Sequence, residues 1–326
     1  MIRKKIIVIM TACMLVMSVL LGGCSSVQSQ TDPDKIQITA TLFPQYDWLR
    51  QIVGEENEYI SLHLINDSGT DLHSYQPTVQ DVALMSESDL LVYTGGESEE
   101  WVLDMQKEAA NEDLQIVSLL DVLGEDAVEE EEVGEEAKMS HSHVEEELEY
   151  DEHVWLSVKN AAMYVEYLCE LVKELDPAHA AMYEANANAY IKQLSELDAQ
   201  YENVVSQASN DTLVFADRFP FRYLVEDYGL SYYAAYSGCS ADTQVTFETI
   251  TLLAKYMDES NANAILVLDN ADLSLARTVL KYTDYPNREI LTMKSLQSAT
   301  KQQIAEGLNY LDVMEENLAV LKKALG

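Results

Sequence analysis

The chain has 326 residues, enough for two cores of ordinary size. Its composition is globular, with 48% hydrophobic residues and only 12 Gly and 6 Pro. The balance is strongly acidic, 20 basic against 57 acidic side chains, which sets nucleic acid aside as a partner because phosphate binding needs basic patches; cations suit it better.

Arg3, Lys4 and Lys5 precede an apolar run from Ile6 to Leu21, so residues 1–23 read as a secretory signal, too short for a stable membrane span. The run ends in Leu21-Gly22-Gly23-Cys24-Ser25, which resembles a bacterial lipobox. In that reading Cys24 is the lipidation site, and the protein is held at the cell membrane on its extracytoplasmic face. Ordinary signal cleavage and a free secreted protein is the alternative. Residues 24–35, polar and containing Pro33, read as a tether. Among the remaining cysteines, Cys169 falls with Val165, Leu168 and Leu171 at helical spacing and reads as packing. No disulfide framework is indicated.

Strands and helices then alternate. Ile36–Leu42, Ile60–Ile65, Leu90–Tyr93 and Leu114–Leu119 read as strands, with helices over Tyr46–Val53, Thr78–Ser86 and Trp101–Ala110 between them. His63 sits within the alternation of its strand and reads as a packed or surface residue. Residues 125–152 form an acid-heavy loop carrying His141 and His143, and Val158–Leu175 is an amphipathic helix. Asp176 and Pro177 mark the start of a helix free of Gly and Pro to about Val205, roughly 42 Å at 1.5 Å per residue. Met182, Ala185, Ala189, Ile191, Leu194, Leu197 and Tyr201 define its expected buried stripe. Beyond it, Thr212–Ala216, Ala264–Leu268 and Glu289–Met293 read as strands. Phe221–Tyr228, Thr246–Met257, Leu273–Thr283 and Lys301–Leu325 read as helices. The expected fold is α/β: two Rossmann-like lobes with parallel sheets (36–175 and 208–326), joined by a long rigid helix (176–207), with a metal cleft between them.

Ligands of such folds sit at the carboxyl ends of strands. Four side chains of metal-ligand type fall there: His73 after the second strand, His153 after the acidic loop, Asp217 in Phe215-Ala216-Asp217-Arg218, and Asp269 in Leu268-Asp269-Asn270. Two imidazoles and two carboxylates suit a first-row divalent ion. Cys239 is a further candidate, since a thiolate binds zinc well, with a small loop residue as its plainer reading. Enzyme signatures such as His-Glu-x-x-His, Gly-x-Ser-x-Gly or a phosphate-cradling Gly loop are absent from the sequence.

The stretches Asp71-Leu72-His73-Ser74-Tyr75-Gln76-Pro77-Thr78, Gly95-Gly96-Glu97-Ser98 and Asp151-Glu152-His153-Val154-Trp155-Leu156-Ser157, with the acidic loop between, resemble the metal-binding lipoproteins of bacterial zinc and manganese ABC importers, the ZnuA-like receptors. The resemblance covers residues 36–325. It implies His73 and His153 as metal ligands, Zn²⁺ as the transported ion with Mn²⁺ or Fe²⁺ as the alternative, and a monomer served by an ABC permease and its ATPase. A surface adhesin with a structural metal is the more distant reading. Many members carry a third His where this chain has Arg218, which cannot coordinate a cation. Asp217 is its expected substitute, and Asp269 matches a carboxylate position of the family. Met293-Lys294-Ser295-Leu296-Gln297-Ser298 resembles a family loop often richer in His and is expected to supply no ligand. His141 and His143 would hold ions transiently. Affinity is expected to fall as pH drops through the histidine range near ~6.5.

Overall fold

The computed structural model describes residues 32, 34–54, 57–107, 109–129, 150–236 and 245–326. The signal segment, Cys24, His141, His143 and Cys239 lie outside the described residues. The first lobe runs β1 (Ile36–Ala40), α1 (Phe43–Val53), β2 (Ile60–Leu64), α2 (Val79–Ser86), β3 (Leu90–Tyr93), α3 (Trp101–Gln106), β4 (Gln115–Ser118) and α4 (Leu119–Leu123). Two long helices follow, α5 (Val158–Leu175) and α6 (Ala180–Gln207). The second lobe runs β5 (Thr212–Phe215), α7 (Arg222–Tyr228), β6 (Ser231–Ala234), α8 (Phe247–Glu259), β7 (Ala264–Leu268), α9 (Ser274–Lys281), β8 (Glu289–Met293), α10 (Lys301–Ala305) and α11 (Tyr310–Leu325).

Each lobe holds a four-stranded parallel sheet, in the orders β2-β1-β3-β4 and β6-β5-β7-β8. The central strands β3 and β7 are buried along their whole length, as expected of the continuous apolar runs Leu90-Leu91-Val92-Tyr93 and Ala264-Ile265-Leu266-Val267-Leu268. In both sheets the strand order reverses between the first and third strands in sequence. That places a switch-point crevice at the carboxyl ends of β1/β3 and of β5/β7.

Three features depart from the sequence expectation. The strand β6, Ser231-Tyr232-Tyr233-Ala234, is an additional edge strand against β5. The C-terminal helix is two: α10 stops at Ala305, Gly307 takes φ +96°, and the Asn309 side chain accepts from Asp312 N to start α11. In the linking helix, the first turn after Asp176 is a 3₁₀ turn (Pro177–His179), and the Asp176 carboxylate accepts from the His179 ring and the Tyr183 hydroxyl. Its buried stripe is Tyr183, Ala187, Tyr190, Leu194, Leu197 and Tyr201, while Met182 is exposed. The tyrosines bury their rings and, at Tyr201, donate the hydroxyl to Met314 O at 2.6 Å.

The lobes share one apolar core. Trp48 of α1 lies between Tyr164 of α5, stacked at 5.7 Å, and Tyr310 of α11, edge-on at 5.3 Å. Tyr310 donates its hydroxyl to Trp155 O (2.7 Å), and its N–H goes to the buried Asp47 carboxylate (2.8 Å). Across the cleft mouth, Gly69 N–H bonds Ala299 O, Leu72 N–H bonds Gln297 O and Lys301 N–H bonds Asp67 O. The segment after β8 is thus laced to the loop after β2. The lobes meet as a packed unit with a narrow seam rather than as two bodies on a free hinge.

Candidate metal site

His73 projects from the loop after β2. Leu72–Ser74 is a single 3₁₀ turn capped by Asp71, whose Oδ1 accepts from His73 N at 3.1 Å, and buried Leu72 anchors it. The His73 Nδ1 lies 2.8 Å from Ser98 Oγ, and Ser98 N donates to Glu152 Oε1 at 2.8 Å. This close approach needs Gly96: it takes φ +79°, and a Cβ there would meet Glu152 Cγ at 2.5 Å.

His153 is buried, 3% exposed, and its ring lies against Trp155 with centroids 5.2 Å apart. Asp151 Oδ1 accepts from both His153 N and Nδ1–H at 2.8 Å. A carboxylate can only accept, so Nδ1 carries the proton and Nε2 keeps its lone pair. The two Nε2 atoms are 3.3 Å apart. Gln297 Nε2 sits 2.8 Å from that of His153 and 3.1 Å from that of His73. An amide NH₂ has two hydrogens and no lone pair to share, so it donates to both rings, which makes His73 Nε2 an acceptor as well. Two imidazole lone pairs therefore converge on one point. Loss of water and the nearby His153 both hold the His73 imidazole below the ordinary histidine pKa. At His73, protons compete with a cation only at lower pH than the free-histidine range suggested.

Gln297 is the residue the sequence reading missed. It reaches the rings because Leu296, buried and at φ +56°, bends the backbone in the left-handed region, a conformation costly for a branched side chain. A half-turn of its amide would present Oε1, a hard oxygen donor, to a cation between the rings. The loop after β8, expected to supply no ligand, so places an amide at the centre of the site.

The two aspartates sit at the expected strand ends but face their own lobe. Asp217 accepts from Arg218 N at 2.9 Å and from Leu268 N at 3.0 Å; Asp269 Oδ1 accepts from Ser295 N at 3.0 Å and lies 3.3 Å from Ser295 Oγ. Among the described residues, no group of three or more His, Cys, Asp or Glu is gathered to hold an ion. Arg218 does not pair with Asp217 through its side chain; it crosses the cleft to Asp71 Oδ2 at 3.0 Å. His63 bonds Gln37 Oε1 at 2.9 Å on β2, in keeping with a packed role.

The base of the acidic loop reaches this site. Glu129 and Tyr150 form an isolated bridge, and the Tyr223 hydroxyl of α7 accepts from Val128 N (3.2 Å) and donates to Asp151 O (2.9 Å).

A family model described as zinc-uptake complex component A periplasmic (ZnuA) matches residues 38–324. The zinc-binding lipoprotein AdcA of Streptococcus pneumoniae is 31% identical over 314 residues, covering 93% of this chain and 58% of its own length. This chain therefore spans a little over half of that relative. The high-affinity zinc uptake system protein ZnuA of Bacillus subtilis is 26% identical over 97% of this chain and 96% of its own. The crystal structure of the Zn(II)-bound ZnuA-like domain of Streptococcus pneumoniae AdcA superposes with a TM-score of 0.69 at 27% identity, covering 89% of this chain and 99% of that domain.

Proposed function

Because the chain belongs to the ZnuA family of zinc-uptake components, we propose that it is an extracytoplasmic receptor that captures Zn²⁺ between its lobes and delivers it to an ABC permease with its ATPase. Lipid on Cys24 would keep it at the membrane. The observation that carries this reading is the pair of imidazole Nε2 atoms 3.3 Å apart, each with its Nδ1 occupied. A cation entering between them would be held by His73 and His153. The Gln297 amide would turn to offer oxygen, and an open position would admit water or a loop carboxylate. Asp217 and Asp269 then shape the second lobe's loops rather than bind the ion. Neutral nitrogen donors favour zinc over manganese, which prefers carboxylate and water oxygen. Residues 125–152 add fourteen carboxylates and two imidazoles that raise the local cation concentration.

The test is chelator-competition titration of the metal-stripped protein with Zn²⁺ and, separately, Mn²⁺, beside His73→Ala. Tight zinc binding that His73→Ala abolishes is the expected result. Tight Mn²⁺ binding that zinc fails to displace would transfer the protein to manganese uptake. Binding that survives His73→Ala unchanged would place the ion elsewhere.

A further inference from the structure

Arg218 leaves a rigid corner of the second lobe. On one side of it Asp217 is bonded to Leu268 N at the end of β7. On the other, buried Phe219 stacks on Tyr232 of β6 at 3.7 Å and 7°. From that corner the guanidinium reaches Asp71 Oδ2 of the first lobe at 3.0 Å, while Asp71 Oδ1 accepts from His73 N at 3.1 Å. The Asp71 carboxylate thus connects the second lobe to the backbone N–H of His73. Both partners are partly exposed (25% and 31%), so the pair adds little to global stability, and its consequence is geometric. Arginine keeps its proton at any physiological pH, so the guanidinium end of the tie stays charged.

We propose that Arg218 is a positioning residue: through Asp71 it fixes the turn that carries His73, so that the second lobe sets where one imidazole meets the other. The turn has one other backbone tie to that lobe at this point, Leu72 N to Gln297 O at 3.2 Å. That bond and the buried Leu72 side chain hold one end of the turn, the Asp71 carboxylate holds the backbone of His73 itself, and metal sites tolerate displacements of only about 0.5 Å in their ligands. The proposal rests on the zinc-receptor reading for its consequence but not for its geometry, and the two are tested apart.

The experiment uses the full chain as wild type, Arg218→Ala, Arg218→Lys, Asp71→Asn and the Arg218→Ala/Asp71→Asn double variant. Imidazole nitrogen and proton signals of His73 are recorded by NMR in metal-free protein, and zinc affinity is measured by chelator competition. Arg218→Ala should shift the His73 signals and weaken zinc binding about tenfold, in the range of lost outer partners of ligands. Arg218→Lys should recover part of both, and the double variant should be no worse than the poorer single one. Unmoved His73 signals in folded Arg218→Ala, or losses that add in the double variant, would overturn the positioning role. Should wild type take up no zinc while Arg218→Ala still shifts His73, the receptor reading fails and the positioning role stands.

Discussion

In the first lobe, the loop after β2 and the stretch before α5 each carry an imidazole whose Nδ1 is held by a neighbour and whose Nε2 faces the cleft. In the second lobe, whose sheet has the same strand order, the corresponding loops spend their carboxylates on backbone N–H groups: Asp217 on Leu268 and Arg218, Asp269 on Ser295. What that lobe sends across is an amide, Gln297, and a guanidinium, Arg218. The comparison teaches that equivalent strand ends supply equivalent positions but not equivalent chemistry. One lobe brings two imidazoles, and the other brings an amide and a guanidinium.

That contrast can be broken on the imidazole side first. His153→Ala should reduce zinc affinity by more than the roughly 10–100-fold typical of outer-partner losses, read by chelator competition. Asp151→Ala should fall within that 10–100-fold range, because the His153 ring loses the acceptor that sets its tautomer. Comparable losses in the two variants would mean that His153 counts for no more than an outer partner of the ion. In the second lobe, Gln297→Glu should raise zinc affinity about tenfold by adding an anionic oxygen where a neutral amide stands, and an unchanged affinity would remove residue 297 from the ligand set. Asp217→Ala should leave affinity within about threefold of wild type, yet cost about 2–3 kcal/mol in urea unfolding, since two backbone N–H groups lose their acceptor. Abolished zinc binding with unchanged stability would restore Asp217 as a ligand.

Much of the fold was legible, whereas the difference between the lobes was not, since Asp217 and Asp269 were expected to bind the ion beside His73 and His153. The helix Val158–Leu175 and the strands Leu90–Tyr93, Ala264–Leu268 and Glu289–Met293 emerge with the bounds their apolar patterns predict, because long periodic or wholly apolar runs leave few alternatives. His73 and His153 stood out because only six histidines occur, and these two lie beside expected ordered segments, one after the second strand and the other just before the helix Val158–Leu175. The strand β6 was hidden by its brevity and by two tyrosines that read equally well as loop. The face of the linking helix shifted because tyrosine counts as half polar, whereas here Tyr183, Tyr190 and Tyr201 are the largest of its buried side chains. Gln297 escaped for a different reason. Its role depends on the left-handed backbone at Leu296 and on packing across the seam, neither of which leaves a local signature.

The smallest expected effect sharpens the comparison at a second pair of strand-end carboxylates. Glu99, just past β3, accepts from Thr94 N at 2.6 Å much as Asp217 serves Leu268, but it is 1% exposed. Burial, opposed by hydrogen bonds from Thr41 and Thr94 and aided by the charge of Glu152, pushes its carboxyl up to about 7. The unfolded chain would release that proton near ~4.3, so between about pH 4.3 and 7 the folded state binds more protons than the unfolded one. Stability from this group is therefore complete below the lower value and is lost as pH rises through the upper one. Glutamine keeps the acceptor oxygen and cannot ionise. Glu99→Gln should match wild type at pH 4 and exceed it by about 2 kcal/mol at pH 8, read as the difference in urea midpoints multiplied by the slope. If the two proteins lose stability in parallel from pH 5 to 8, Glu99 is ionised in the folded state and its Thr41 and Thr94 bonds outweigh its burial.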